Sequence, residues 1–203
     1  DWYNPGADGN CGFRIMAHLV YGNEERYSEI REDLWGLLSS GWNAGYEQVY
    51  AASGQDQDYV KRRVMGTTET CGPKFWMWDA DLIGLVFRYN WAFVVYASAR
   101  APISQHTFGT TYLPLRARHV QRPDRVVELV CTGNHWLQIQ LAEVDGVRPM
   151  PPFHPVWAGA EGETRTALWL DMYRDELQLF RDRGGHNPNS PSARVDDVFD
   201  VSN

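Results

Sequence analysis

The chain has 203 residues, 43% of them hydrophobic, which is enough for one globular domain with a sizeable core. Its formal net charge of −7 disfavours nucleic acid as the main partner, because phosphate binding requires a basic surface. No run of about 18 apolar residues occurs, so the sequence predicts no membrane span. Three widely separated cysteines and no zinc-ligand spacing indicate a reducing, intracellular compartment, with no disulfide framework, no metal and no cofactor.

Helices are predicted through the first half of the chain, where apolar residues recur at helical spacing. The first helix begins close to Cys11, and its apolar residues from Phe13 to Val20 would form one buried face. Asn23 can cap the second helix. The predicted helices after the first cover residues 24–38, 46–52, 58–65 and 80–89.

Strands are predicted in the second half, where apolar runs or alternating apolar residues replace the helical spacing. They cover residues 91–96, 110–115, 126–131 and 136–141. A Pro- and Gly-rich surface loop is expected at 142–163, and a last helix at 166–181. Helices followed by strands predict an α+β, mixed α/β fold for a domain at 1–182, with an extended C-terminal tail at 183–203. Because the chain does not begin with Met, we expect a piece of a longer protein.

Cys11 stands just after a glycine turn, at the predicted N-terminus of the first helix. There the unpaired backbone N–H groups and the helix dipole favour negative charge, so we expect a lowered thiol pKa and a nucleophilic thiolate. The same N–H groups can stabilise an oxyanion. The alternative is that Cys11 is only a small, buried packing residue.

A candidate base lies far along the chain from this cysteine. His135 begins a predicted strand in which Leu137, Ile139 and Leu141 alternate with polar residues, a position from which a side chain can point into a cleft. A cysteine at a helix N-terminus facing a histidine on a strand is the arrangement of papain-like peptidases. The alternative for His135 is a purely structural, hydrogen-bonded histidine.

Several segments resemble the ovarian tumour (OTU) family of cysteine peptidases. The segment Asp8–Arg14, DGNCGFR, is similar to the family's cysteine motif, and Asn134–Trp136, NHW, is similar to its histidine motif. Residues 78–85 and the strand at 91–96 resemble its middle helix and strand. Residues 149–157 also resemble the tail of OTU domains found in proteins related to transposable elements.

The resemblance implies a papain-like OTU fold, with a small central sheet flanked by helices, and the activity of a deubiquitinase. Such enzymes hydrolyse the isopeptide bond between the C-terminal glycine of ubiquitin and a lysine. Ubiquitin or polyubiquitin chains are therefore the implied partners, and we expect a monomer. The implied roles are nucleophile for Cys11, general base for His135, acidic motif residue for Asp8, oxyanion loop for Gly9 and Asn10, and border of the substrate channel for Gly12 and Trp136.

The sequence departs from the family at the residue that should orient the imidazole. Many members carry an acid or amide two residues after the histidine, whereas this position is Leu137, which cannot accept a hydrogen bond. Some relatives place the orienting residue before the cysteine. Asp1 and Asn4 are therefore the leading candidates, and Asp8, which we expect to shape the oxyanion loop, is the third.

Two other hypotheses stay open. Leu137 is compatible with a catalytically weak ubiquitin-binding module, and the same chemistry could serve a ubiquitin-like modifier instead of ubiquitin. The net charge of −7 suits a partner with a basic face, such as ubiquitin, or simply aids solubility. It disfavours a nucleic-acid-binding accessory domain of a mobile element.

Overall fold

The computed structural model describes residues 1–42, 46–51, 54–66, 72–97, 109–114, 121–154 and 163–183. The helices are α1 (Cys11–Tyr21), α2 (Tyr27–Gly41), α3 (Tyr46–Ala51), α4 (Gln57–Met65), α5 (Asp79–Tyr89), α6 (Glu163–Met172) and α7 (Arg174–Asp182). The strands are β1 (Trp2–Tyr3), β2 (Trp91–Ala97), β3 (Gly109–Tyr112), β4 (Arg125–Cys131) and β5 (Trp136–Ile139). Within these ranges no helix has both the length and the apolar character needed to cross a membrane.

The five strands form one mixed sheet in the order β1-β5-β4-β2-β3. β2 and β4 run parallel, and the other neighbouring pairs are antiparallel. The side chains of β2 are buried from Ala92 to Tyr96, which explains why this strand is a continuous apolar run. α5 packs against β2 and α1 packs against β5, so helices flank the sheet. The predicted mixed α/β class, with a small central sheet flanked by helices, is confirmed.

The boundaries of several elements differ from the prediction. The helix predicted at 166–181 is two helices that meet at Tyr173, where φ is −112° and ψ is 24°. β5 ends at Ile139 because the N–H groups that follow donate to other partners. The N–H of Leu141, for example, donates to the Glu128 carboxylate at 2.8 Å. β1 was not predicted, since two residues are too few to show a period.

Part of the predicted surface loop at 142–163 is buried beside β3. The N–H of Thr111 donates to the Pro152 carbonyl at 2.9 Å, and the Thr111 carbonyl accepts from the His154 N–H at 2.9 Å. Met150 is also buried. This pairing was not predicted, because a proline-rich segment lacks N–H donors. Proline keeps its carbonyl acceptor, however, and can still receive a hydrogen bond. Residues 155–162 and the predicted tail from 184 onward lie outside the described residues, so the domain division at 182 stays a prediction.

A buried ion pair fixes α4 against the start of α5. The two Asp81 oxygens accept from Arg63 Nη1 and Nη2, both at 2.6 Å, and both side chains are almost fully buried. Asp81 also accepts from the Tyr50 hydroxyl at 2.9 Å and from the Trp78 N–H at 2.8 Å. Its carboxylate is thus satisfied on every side, as a buried charge must be.

We expect Asp81→Asn to lower the free energy of unfolding by about 3–5 kcal/mol, because it leaves the Arg63 charge buried without its counter-ion. Urea unfolding followed by circular dichroism measures this change. Glu29→Gln, which removes an exposed pair with Arg26, is the matched control and should leave the unfolding curve unchanged. An Asp81→Asn protein that unfolds with the parent would show that the pair does not stabilise the fold.

Candidate active site

Cys11 is the first residue of α1 and is almost fully buried, with 3% of its surface exposed. Its Sγ accepts a hydrogen bond from the backbone N–H of Trp136, at 3.3 Å. The loop before it turns at Gly9, where φ is 87°, a backbone conformation that favours glycine. The fold therefore brings the N-terminus of α1 to the start of β5. These are the two positions at which the nucleophile and the base were predicted from the sequence.

Asp8 shapes the loop that leads to Cys11. Its Oδ1 accepts from the Asn10 N–H at 2.9 Å, and its Oδ2 accepts from Arg14 Nε at 3.0 Å and Nη2 at 2.7 Å. Partial burial would raise the pKa of this carboxyl, but the hydrogen bonds from Arg14 and Asn10 outweigh it and lower the pKa. The Asn10 N–H, expected to hold an oxyanion, thus has a different partner in this structure. The N–H groups of Gly9 and Cys11 are the remaining loop candidates.

The expected lowering of the Cys11 pKa is not found in this structure. Burial raises the pKa of the thiol, and the nearby Asp8 charge acts in the same direction. The backbone N–H of Gly12 lowers it, as the helix-terminus argument predicted, and so does that of Trp136 in β5, but the two do not offset the desolvation. This burial is a tertiary property, which the helix-terminus argument does not include.

His135 lies directly before β5 and is partly buried. Its Nε2 lies 2.7 Å from the amide oxygen of Asn4. Since an amide oxygen can only accept, Nε2 carries the proton and Nδ1 is left unprotonated in the neutral ring. Burial lowers the pKa of the imidazole, so the ring is neutral at pH 7 and able to take up a proton.

The strand pairing explains why Asn4, and not Asp1, reaches this histidine. β1 runs antiparallel to β5, with Trp2 opposite Ile139 and Tyr3 opposite Gln138. The register therefore places Asn4 near the beginning of β5, beside His135. Asp1 lies at the other end of the pair, where its carbonyl accepts from the Gln140 N–H at 2.8 Å.

The contacts that hold this two-residue strand could not be predicted from the sequence. The ring of Tyr3 stacks on His18 of α1, with ring centroids 4.1 Å apart, and the Tyr3 hydroxyl donates to the Glu24 carboxylate. His18 thus packs against the strand that directly precedes Asn4. Because these contacts join residues distant in the chain, only the folded structure reveals them.

Gly12 and Trp136 do not border an open channel in this structure. A Cβ at Gly12 would come within 2.5 Å of the Met77 side chain, so glycine is needed here for α1 to pack against the segment before α5. The Trp136 side chain is 3% exposed, and it is the backbone of this residue that meets Cys11. Both residues are closely packed in this structure, so their place beside a substrate channel stays a prediction.

The structure holds Cys11 and His135 near each other without joining them directly. Among the hydrogen bonds of the described residues, none links the imidazole to Sγ, whose donor is instead the N–H of the next residue, Trp136. Catalytic hydrogen bonds are often long or absent until substrate binds. No group of three or more His, Cys, Asp or Glu in the described ranges could hold a metal ion. Cys71 lies outside those ranges.

Comparison with solved structures places the chain in a known fold. The structure of the Hazara virus OTU bound to ubiquitin is 16% identical, with a TM-score of 0.50 over 71% of this chain and 82% of that chain. The chain has the fold of OTU domain proteases. The viral OTU domain protease from Dera Ghazi Khan virus is 13% identical (TM-score 0.49; 70% and 87% covered), and the OTUD1 OTU domain is 14% identical (TM-score 0.46; 68% and 83% covered).

The likeness to OTU domain proteases is one of fold. No protein family model and no curated protein matches the chain. None of the reported structures supports the resemblance of residues 149–157 to proteins related to transposable elements. The cysteine and histidine motifs quoted from the sequence lie at the start of α1 and directly before β5.

The raised pKa of Cys11 predicts how this thiol reacts in the free protein. Alkylation by iodoacetamide, followed on the Cys11 peptide by mass spectrometry, should reach half its maximal rate above the ordinary thiol pKa of about 8.5. The same peptide in urea-unfolded protein is the internal control and should react at the ordinary pH. A half-maximal rate below about pH 8 in the folded protein would show that the helix N-terminus outweighs burial.

Proposed function

We propose that the chain is a cysteine isopeptidase that cleaves the bond between the C-terminal glycine of ubiquitin and a lysine. Two observations carry the proposal: Cys11 Sγ, at the N-terminus of α1, accepts from the N–H of Trp136, the residue next to His135, and the His135 ring is hydrogen-bonded to Asn4. A nucleophile, a base and an orienting group are the components of papain-like catalysis. Residues 1–182 would form the catalytic domain, in a reducing compartment that keeps Cys11 a thiol.

The chemistry uses one proton carrier throughout. Nδ1 of His135 takes the thiol proton as Sγ of Cys11 attacks the carbonyl carbon of the last glycine. The imidazolium then gives that proton to the lysine amine as the C–N bond breaks. A water molecule, deprotonated by the same imidazole, attacks the thioester carbonyl. The C–S bond breaks, the imidazolium returns its proton to Sγ of Cys11, and ubiquitin leaves with a free carboxylate. We assign the N–H of Cys11 as the loop donor for the oxyanion in both steps.

Asn4 replaces the orienting residue that Leu137 cannot provide. Its amide oxygen at Nε2 fixes the ring and its tautomer, which is the part of the orienting role that geometry alone supplies. An amide carries no charge, so it stabilises the imidazolium less than a carboxylate would. This difference agrees with the lowered pKa of His135.

The burial of Cys11 implies that the substrate must open the site. With 3% of the residue exposed, an incoming glycine carbonyl cannot reach Sγ before covering atoms move. The burial of Cys11 in the free protein also supports the second candidate function, a catalytically weak module that binds ubiquitin. A ubiquitin-like modifier remains the alternative substrate. Hazara virus OTU was solved bound to ubiquitin, and together with the net charge of −7 this favours ubiquitin over the alternative.

We expect Cys11→Ala to abolish both turnover of ubiquitin conjugates and covalent reaction with a ubiquitin probe that carries a C-terminal electrophile. Cys131→Ala is the matched control and should still react, because Cys131 is buried in β4 and burial raises its pKa to about 11. A parent protein that binds ubiquitin but never reacts with the probe would favour the binding module. Reaction only with probes built on ubiquitin-like modifiers would reassign the substrate.

We expect Asn4→Ala to lower kcat by about tenfold or more, a loss of about 1.4 kcal/mol of transition-state stabilisation, because His135 loses its fixed tautomer. Asn4→Asp should retain activity and move the acidic limb of the kcat/KM profile to higher pH, since a carboxylate raises the pKa of the imidazole. Asp1→Ala should leave kcat unchanged. Equal rates for Asn4→Ala and the parent would rule out this role for Asn4.

A further inference from the structure

The residue at the N-terminus of α1 does not cap the helix. Asn10 occupies the N-cap position, where asparagine normally accepts a hydrogen bond from a backbone N–H of the first turn. Here the side chain makes no capping hydrogen bond, and φ of −99° with ψ of 5° is not the extended conformation of a capping residue. Its Oδ1 instead accepts from Arg31 Nη2 at 2.6 Å.

Arg31 is a fully buried side chain of α2 that is anchored on several sides. The anchors are the carbonyls of Arg63, Val64 and Phe75, at 3.2, 3.0 and 3.0 Å, and the ring of Phe13, at 3.9 Å from the guanidinium carbon. A planar guanidinium held in this way has its remaining donors in fixed directions. The donor to Asn10 therefore acts as a rigid support beneath the loop.

This support has a consequence for the N–H groups next to the sulfur. The backbone N–H of Gly12, the second residue of α1, acts to lower the pKa of the adjacent Cys11 thiol. That same N–H is one of the two that an N-cap side chain would accept from. A capping Asn10 would thus compete with the sulfur for the donor, and the bond to Arg31 removes that competitor.

We propose that Arg31 is a positioning residue that holds the Asn10 side chain away from α1, so that the first-turn N–H groups stay available to the Cys11 sulfur. The inference rests on the proposed function only in taking Cys11 as the nucleophile. Stability would favour a capped helix; here the capping interaction is given up in favour of donors for a negative sulfur.

Two small substitutions at Asn10 separate positioning from stability. Serine is a strong N-cap residue, but its side chain is too short to reach Arg31 as that of Asn10 does. Alanine has no side-chain acceptor at all. We expect the urea midpoint of Asn10→Ser to equal or exceed that of Asn10→Ala. We also expect Asn10→Ser to cleave ubiquitin conjugates about tenfold more slowly than Asn10→Ala does. A merely structural role of Asn10 would rank the two variants the same way in both measurements.

Substitutions of Arg31 test the other partner. Arg31→Met should lower kcat and raise the pH of half-maximal Cys11 alkylation by about one unit, because the released Asn10 side chain caps α1. Adding Asn10→Ala should partly restore both values. Arg31→Lys, whose ammonium can still donate to Asn10, should have a kcat and an alkylation pH closer to those of the parent than Arg31→Met has. Arg63→Lys, a matched buried change, should leave the alkylation profile unchanged.

Alkylation of Cys11 does not require ubiquitin, so it decides the inference even if the parent cleaves no ubiquitin conjugate. Slower turnover and a higher alkylation pH in Asn10→Ser than in Asn10→Ala support the proposal, and they do so even if Arg31→Met fails to fold. Equal or lower alkylation pH in Asn10→Ser, or an Arg31→Met protein that Asn10→Ala does not improve, overturns it. A parent without ubiquitin cleavage but with the expected alkylation order overturns the proposed substrate alone.

Discussion

The hydrogen bond from the Trp136 N–H to Cys11 Sγ joins the helical part of the chain to the sheet. It requires that α1 reach the start of β5 with its N-terminus, and the packing around it serves that requirement. Gly12 allows α1 to approach Met77, and Gly9 turns the chain so that α1 can begin at the sulfur. Because β5 also pairs with β1, the same place receives Asn4. One close contact between two elements thus assembles residues from three parts of the sequence.

Burial and hydrogen bonding act in opposite directions on this sulfur. Desolvation raises the pKa of Cys11, while N–H groups from α1 and β5 lower it, and desolvation prevails in the free protein. His135 is also desolvated, and its orienting partner is an uncharged amide, so among the described residues no partner of the ring favours an imidazolium before substrate arrives. A neutral thiol beside a neutral imidazole is therefore the resting state, and substrate binding has to supply what changes it.

Local sequence patterns were enough to predict the mixed α/β class, α1 with Cys11 at its start, and the strand that follows His135. Each depends on the spacing of neighbouring residues, which secondary structure converts directly into a buried face. Asn4 could only be one candidate among several, since β1 has two residues and no period, and its register against β5 is a tertiary property. Arg31 was not predicted, because its position on α2 carries no sign that the side chain points into the core.

The supports of the Cys11 loop show why a buried charge is retained beside it. The Asp8 carboxylate accepts from the Asn10 N–H, and the Asn10 carbonyl accepts from the backbone N–H of Arg14 at 2.8 Å. The Asn10 side chain accepts from the Arg31 guanidinium. Burying a guanidinium costs several kcal/mol, and an apolar side chain of similar volume could pack as stably. An apolar residue could not, however, direct the Asn10 amide away from the helix N-terminus. Arg31 is therefore better explained by the placement of donors around Cys11 than by the stability of the fold.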